Sequence, residues 1–179
     1  RLRGGRAEWY RNRYVAGGDD FGPNTNVGGF AGPTWAMVEA GPPPVELDYE
    51  LNPLGVNRFH DTLTGPFSAH PKYDPTTGEL HAMGYHWPDL IDHIQYVVVG
   101  GDGRVSKTLD IPIADMPMVH DMSLTPTYAI VYDLPVTVNF DVMGKGYPFP
   151  FAWNPDRAAR VGLLPPSGTA DDIICCDVA

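Results

Sequence analysis

The 179-residue chain has few cysteines, few charged side chains and no long apolar run. Its two cysteines, Cys175 and Cys176, are neighbours, and neighbouring cysteines do not form an ordinary disulfide. We expect both to be reduced side chains buried in a strand, which favours a cytoplasmic protein. No stretch of 18 apolar residues occurs, so the sequence predicts no transmembrane helix.

Positive charge is scarce as well. The formal net charge is −10, and charged residues make up only 19% of the chain. An acidic surface repels a phosphate backbone, which argues against nucleic acid as a partner. Hydrophobic residues make up 43% of the chain, enough to form a buried core.

Sustained helical periodicity is also missing, and short apolar runs alternate with turn residues instead. The chain has 20 glycines and 19 prolines, which punctuate these runs. This pattern is typical of an all-β fold with many hairpins, and it permits a sandwich, a barrel or a propeller. We predict a long loop over residues 143–170 with one short strand near 160–163, and further strands over residues 7–15, 34–40, 45–49, 67–73, 79–86, 94–99, 105–111, 119–124, 128–133, 136–140 and 173–178.

Two of the six histidines have surroundings that suggest a metal site. His70 and His120 each lie in a strand-like run, with small or apolar residues before them and a polar turn or a second strand after them. A neutral imidazole on a rigid strand is a ready metal ligand, although most single strand histidines are structural. The remaining histidines are weaker candidates. His60, His81 and His93 lie beside charged or polar residues and are predicted at the surface or in a loop, and His86 either lines a pocket or packs in the core.

Glu39 is unusual because it stands in an otherwise apolar run that begins at Trp35. A buried carboxylate requires a partner, and the second ring nitrogen of a metal-bound histidine often takes one. The pattern leaves two interpretations open. Glu39 either pairs with a ligating imidazole or turns to solvent at the end of the strand.

Four motifs are informative as an ordered set. They are Asn24-Thr-Asn-Val27, Val38-Glu-Ala-Gly41, Ala69-His-Pro-Lys-Tyr-Asp-Pro75 with Gly78-Glu-Leu80, and His120-Asp-Met-Ser-Leu-Thr125. Each motif alone is weak, but in this order and at this spacing, across nearly the whole chain, the four resemble the landmarks of the carotenoid cleavage oxygenase family, and of its bacterial lignostilbene-dioxygenase-like branch in particular.

The resemblance implies a seven-bladed β-propeller in which four histidines bind a non-haem Fe(II) on the axis and glutamates orient some of the rings. It implies that O2 cleaves a conjugated carbon–carbon double bond of a carotenoid, apocarotenoid or stilbenoid, giving two carbonyl products. By position, His70 and His120 match two of the iron ligands. Glu39 matches a glutamate that orients an imidazole other than that of His70, such as that of His120. An apolar substrate of this kind is also compatible with uptake at a membrane surface.

The chain departs from the family pattern because no histidine follows His120. The resemblance places a third ligand within about ten residues beyond Ala179 and a fourth near the family's C-terminus, and Fe(II) generally needs more than two imidazoles. We therefore expect residues 1–179 to be a partial propeller domain, cut at both ends, which covers roughly the first three blades and is inactive alone. Two alternatives stay open: a metal-free propeller piece that acts as a binding or interaction module, and an isomerohydrolase on the same scaffold, which no residue favours.

Overall fold

Short strands dominate the computed structural model of the chain, which describes residues 25–39, 41–85, 90–145 and 149–178. In these ranges fourteen strands form four sheets. The strands are β1 (Asn26–Gly29), β2 (Thr34–Met37), β3 (Val45–Leu47), β4 (Pro53–Val56), β5 (Lys72–Asp74), β6 (Glu79–Gly84), β7 (His93–Val99), β8 (Val105–Pro112), β9 (Met122–Leu124), β10 (Ala129–Asp133), β11 (Val136–Val138), β12 (Phe151–Trp153), β13 (Arg160–Leu164) and β14 (Ile174–Asp177).

Three of these sheets are four-stranded antiparallel meanders that follow one another along the chain. The strand orders are β1-β2-β3-β4 in the first sheet, β5-β6-β7-β8 in the second and β9-β10-β13-β14 in the third. The fourth sheet pairs β11 with β12 and lies within the connection from β10 to β13. Consecutive four-stranded meanders are typical of propeller blades. The predicted fold, all-β and part of a β-propeller, is confirmed, with three blades in the described residues.

Local turn chemistry sets the hairpins. Between β5 and β6, the Asp74 side chain accepts the N–H of Thr76 at 2.8 Å, and the N–H of Gly78 donates to the Asp74 carbonyl at 2.9 Å. Gly78 has a φ of 73°, a left-handed conformation that glycine adopts without a steric penalty. The turn fixes the register that pairs Lys72 with His81. The hairpin predicted at residues 74–78 is therefore present.

The core lies in two layers, one on each face of the second sheet. One layer packs Leu80 and Val97 against Trp35 of the first sheet. The other packs Met83 and Tyr96 against residues of the third sheet, among them Met122, Val131 and Leu164. Fully burying an aliphatic side chain of this size contributes about 1.5–3 kcal/mol. The middle sheet is thus held by apolar contacts on both faces, as expected where blades stack.

Ion pairs of Asp133 with Arg157 and Arg160 hold together the two ends of the connection that carries β11 and β12, and we call them the joint at Asp133. Arg157 donates to one carboxylate oxygen of Asp133 at 2.6 Å, and Arg160 donates to the other at 2.8 Å. Arg157 also donates to Asp115. Asp133 ends β10 and pairs with Arg160 at the start of β13, so the two ends of the connection meet at this carboxylate.

The structure corrects two expectations about this part of the chain. A short helix, α1 (Phe140–Gly144), begins where the strand predicted over residues 136–140 should end. Its first turn is capped because Asn139 Oδ1 accepts the N–H of Val142 at 3.0 Å. The predicted loop over residues 143–170 contains the strand predicted near residues 160–163, which is β13, and in addition β12 and a 3₁₀ turn over Ala170–Asp172.

Cys175 and Cys176 are exposed rather than buried, which is a further correction. They lie in β14, an edge strand of the third sheet whose residues are all exposed, so nothing in the described structure covers them. The strand predicted over residues 7–15 lies outside the described residues. Among the described residues, no helix is long and apolar enough to span a membrane.

Candidate metal centre

His70, His120 and Glu39 come from three different sheets. His70 lies just before β5 of the second sheet, and His120 occupies the matching place just before β9 of the third sheet. Glu39 follows β2 of the first sheet. β5 and β9 are edge strands of their sheets, and they contact each other. Three successive blades therefore each supply one polar side chain to the same region.

The three side chains approach one another closely. Glu39 Oε2 lies 3.8 Å from His70 Nε2 and 3.8 Å from His120 Nδ1. The two imidazole centroids are 4.6 Å apart, with the ring planes inclined by 59°. One potential ligand atom from each residue lies within 4.8 Å of the others. We call Glu39, His70 and His120 together the metal cluster. Over the described ranges, they are the one group of three or more His, Cys, Asp or Glu side chains that could hold a metal ion.

Burial differs across the metal cluster. The side chain of Glu39 is 9% exposed, that of His70 25% and that of His120 47%. Burial lowers the pKa of His70; the charge of Asp121 opposes this shift, and the charges of His120 and Lys72 add to it. A lowered pKa keeps the His70 imidazole neutral near pH 7 and leaves a nitrogen lone pair available. In the described structure His70 Nε2 is buried and makes no hydrogen bond.

Polar groups hold the segment that carries His70. The side chain of Asn26, in β1 of the first sheet, donates to the Ala69 carbonyl at 2.9 Å. The N–H of His70 donates to Ser68 Oγ at 3.0 Å. Asn26 belongs to the first of the four family-like motifs, but its role in anchoring this neighbour of His70 was not predicted.

An ion pair crosses from the second sheet to the third beside the two histidines. Lys72 Nζ lies 2.8 Å from Asp121 Oδ1, and the same oxygen accepts the N–H of Met122 at 2.7 Å. This pair was not predicted from the sequence. The sequence feature that could have indicated it is that Lys72 follows His70 by two positions and Asp121 follows His120 by one.

The structure brings the three predicted site residues together, but neither histidine lies in a strand. β5 begins at Lys72 and β9 at Met122, so both imidazoles project from the segments that lead into the strands. Pro71 follows His70 and has no N–H to donate to a sheet ladder, which delays the start of β5. Glu39 lies equally near both rings, so the geometry alone does not assign it to His120.

Of the other histidines, His81 departs most from prediction. It is only 2% exposed, whereas the sequence predicts a surface position. His81 Nδ1 is hydrogen-bonded to the Tyr96 hydroxyl at 2.5 Å, and Lys107 Nζ lies 5.7 Å from the centre of the Tyr96 ring. We call these three residues the His81 seam. His60 is exposed and His93 partly exposed, as predicted; His86 lies outside the described residues.

Imidazoles and a carboxylate that converge from successive blades are a ligand set typical of metalloproteins. Residues 6–176 match the family described as "Retinal pigment epithelial membrane protein" (RPE65), so the chain belongs to this family. The resemblance to carotenoid cleavage oxygenases, predicted from the motifs, is confirmed.

Individual relatives agree with this family. The chain is 36% identical to a carotenoid cleavage oxygenase of Mycobacterium tuberculosis over 99% of its own length and 47% of that protein. It is 31% identical to resveratrol cleavage oxygenase 1 of Chaetomium globosum, covering 94% of this chain and 29% of that protein. The crystal structure of Pseudomonas brassicacearum lignostilbene dioxygenase matches with a TM-score of 0.77 and 31% identity, covering 87% of this chain and 32% of that one. The chain thus spans at most about half the length of these relatives.

Proposed function

We propose that this chain is part of a non-haem Fe(II) dioxygenase that cleaves a conjugated carbon–carbon double bond with O2 to give two carbonyl products. One observation carries the proposal: His70, His120 and Glu39, supplied by three successive blades, meet with potential ligand atoms within 4.8 Å of one another. Membership of the family supports the same reaction class.

The residues fit a divalent iron. His70 Nε2 is buried and has no hydrogen-bond partner in the described structure, and an unsatisfied buried group of this kind costs about 1–3 kcal/mol. A cation bound to that nitrogen would offset the cost. Imidazole nitrogen and carboxylate oxygen are established ligands of non-haem Fe(II). The bound iron would supply the activation of O2 for the cleavage.

Each residue has a distinct task in this proposal. His70 would bind the metal through Nε2, its buried ring nitrogen. His120 presents Nδ1 to Glu39, which leaves its Nε2 for the metal. The Glu39 carboxylate would fix the tautomer and orientation of an imidazole, as carboxylates beside metal-bound histidines do. Two imidazoles do not complete an iron site, so we propose that the whole protein supplies further histidines from outside residues 1–179.

The substrate class follows from the relatives. Their names refer to carotenoids, to resveratrol and to a lignostilbene, all of which contain conjugated double bonds. We therefore propose an apolar conjugated alkene, either a carotenoid or apocarotenoid or a stilbenoid, as the substrate. A cytoplasmic location stays a prediction.

We also propose that the connection around α1 and β12 contacts a membrane surface during substrate uptake. Its aromatic side chains Phe140, Phe149 and Trp153 are 64%, 53% and 68% exposed. Exposed aromatic residues of this kind favour a membrane interface. Replacing all three by Ser should abolish sedimentation with phosphatidylcholine vesicles, if the unchanged chain sediments with them. Unchanged sedimentation of the triple variant would refute this role.

Metal binding is the first test. In the protein encoded by the complete gene, we expect calorimetric titration with Co²⁺, a stable substitute for Fe(II), to show binding that His70→Ala and His120→Ala each abolish. His60→Ala is the matched control, because His60 is exposed and lies outside the metal cluster. If all three variants bind Co²⁺ like the unchanged chain, the ligand assignment is wrong.

Activity is tested in the protein encoded by the complete gene. O2 consumption and the appearance of two carbonyl products from a stilbenoid or an apocarotenoid should both be lost in His70→Ala and kept in His60→Ala. A complete protein that binds no iron and converts neither substrate would instead favour the alternative of a metal-free binding module.

A further inference from the structure

The ion pair between Lys72 and Asp121 lies where two blades must be aligned for the metal cluster to form. Lys72 is the first residue of β5 and follows His70 by two positions; Asp121 directly follows His120 and precedes β9. The 2.8 Å contact between Lys72 Nζ and Asp121 Oδ1 joins the second and third sheets at this point. Any shift of one sheet against the other would change this contact and the spacing of the imidazoles together.

Each end of the ion pair is fixed to its own sheet. Lys72 is paired with His81 in the β5–β6 ladder. Asp121 Oδ1 also accepts the N–H of Met122, the first residue of β9. The contact therefore connects the starts of two strands, β5 and β9, each of which is held in its own sheet.

The ion pair contributes little to folding stability. The side chains of Lys72 and Asp121 are 32% and 45% exposed, and ion pairs with this exposure contribute at most about 1 kcal/mol. A weak contact can still set geometry, because it only has to choose among small relative movements of two blades that apolar contacts already hold together.

We propose that Lys72 and Asp121 are positioning residues that set the separation and orientation of His70 and His120, and thereby the affinity of the cluster for a divalent cation. The inference rests on the metal-binding role proposed for the two histidines. Neither Lys72 nor Asp121 is a ligand in this arrangement.

Electrostatics and geometry make opposite predictions for one variant. If the pair acted only through its charges, removing the cationic Lys72 would strengthen binding of a cation, and removing the anionic Asp121 would weaken it. If the pair acts by alignment, Lys72→Met and Asp121→Asn both weaken binding. Lys72→Arg, which can keep the ion pair, should retain most of the affinity.

The experiment is calorimetric titration of the protein encoded by the complete gene and its variants with Co²⁺, together with urea unfolding of the metal-free proteins. We expect Lys72→Met and Asp121→Asn each to raise the Kd about 3- to 10-fold, below the 10- to 100-fold typical of residues that touch a ligand directly. The double variant should bind no more weakly than either single variant, because both remove the same contact. Tighter or unchanged binding by Lys72→Met would overturn the proposal.

Lys107→Met is the matched control. Lys107 is another lysine of the second sheet, and its Nζ donates to the carbonyls of Pro166 and Gly168 rather than to a group beside the histidines. This variant should lose stability and keep the Co²⁺ affinity within about twofold. A weakening equal to that of Lys72→Met would show a general stability effect and refute the positioning role.

A separate readout applies if the unchanged chain binds no Co²⁺, an outcome that counts against the proposed function. The imidazole centroids are 4.6 Å apart, close enough for a nuclear Overhauser contact between ring protons in the metal-free chain. Loss of that contact in Lys72→Met, with retention in Lys107→Met, supports the positioning role without any metal. Retention in both variants, or its absence from the unchanged chain, overturns it.

Discussion

The metal cluster and the His81 seam both place a histidine between blades, but the side chains that surround the imidazole differ between the two regions. In the described structure, His70 and His81 each have a buried Nε2 without a hydrogen-bond partner. His81 has a tyrosine on its other ring nitrogen, and a lysine lies over that tyrosine ring. A carboxylate lies near Nε2 in both regions, Glu39 at 3.8 Å from His70 and Glu79 at 3.9 Å from His81. His70 differs because it also faces a second imidazole, that of His120. A buried ring nitrogen without a hydrogen bond therefore indicates a metal ligand only where a second imidazole lies beside it.

The largest expected effect is a loss of stability from a substitution in the His81 seam that leaves metal binding unchanged. Tyr96 is fully buried between the second and third sheets, so Tyr96→Ala should lower the free energy of unfolding by about 3–5 kcal/mol. Urea denaturation measures this loss. The Co²⁺ affinity of the folded fraction should stay within about twofold, because Tyr96 lies outside the metal cluster. A parallel loss of metal affinity would show that the two regions are coupled.

The next largest effect is a loss of metal affinity from a substitution in the metal cluster, which the matching substitution in the His81 seam should not cause. Glu39→Gln keeps the shape of the side chain and removes its charge between the two imidazoles, so the Kd for Co²⁺ should rise about 10- to 100-fold. Calorimetric titration measures the change, with Glu79→Gln as the control. Glu79 Oε2 lies 3.9 Å from His81 Nε2, the equivalent place in the seam. Equal effects of the two variants would contradict the distinction between the regions.

A smaller effect is expected at the edge of the seam. Lys107→Met removes two charged hydrogen bonds to backbone carbonyls, at 2.8 and 2.6 Å, which tie β8 to the turn after β13. Because the lysine is partly exposed, the free energy of unfolding should fall by only about 1–2 kcal/mol. A thermal or urea melt checks this value. No loss at all would mean that water replaces both contacts without cost.

The smallest effect is on pH dependence. Burial lowers the pKa of His81, and the charges of Glu79 and Asp74 only partly oppose this. Below the unfolded pKa of about 6.5, the folded state binds fewer protons than the unfolded chain, so stability falls as the pH drops from there towards the lower folded-state pKa. His81→Leu should therefore give a shallower dependence of unfolding free energy on pH in the range just below the unfolded pKa. His70 contributes in the same direction, so part of the slope should remain; a slope equal to that of the unchanged chain would refute the assignment.

Local signals account for the parts of the fold that the sequence predicts well. The hairpin at residues 74–78 depends on an aspartate and a glycine within five positions, so its turn is readable without any tertiary contact. β12 is different because its three residues are a strand only through pairing with β11, on the far side of α1. A segment this short has no periodicity to recognise.

Some residues of the candidate site could likewise be predicted from the sequence, and others could not. The motifs around His70, His120 and Glu39 identify the residues, and the structure brings them together. The burial of His81 was not predictable, because alternation along β6 tells which residues share a face but not that the third sheet covers that face. The ion pair of Lys72 with Asp121 joins two blades, and sequence spacing does not predict contacts between blades.

The joint at Asp133 has a consequence for how this protein can change over generations. β10 and β13 pair directly, and two arginines hold the ends of the connection between them together. None of the three cluster residues lies in the connection, but β11 is hydrogen-bonded to the segment that leads to His120, because the N–H of Met118 donates to the Val136 carbonyl at 2.7 Å. We therefore expect selection to constrain β11 as well as the joint, since a change in β11 would shift the segment that carries His120.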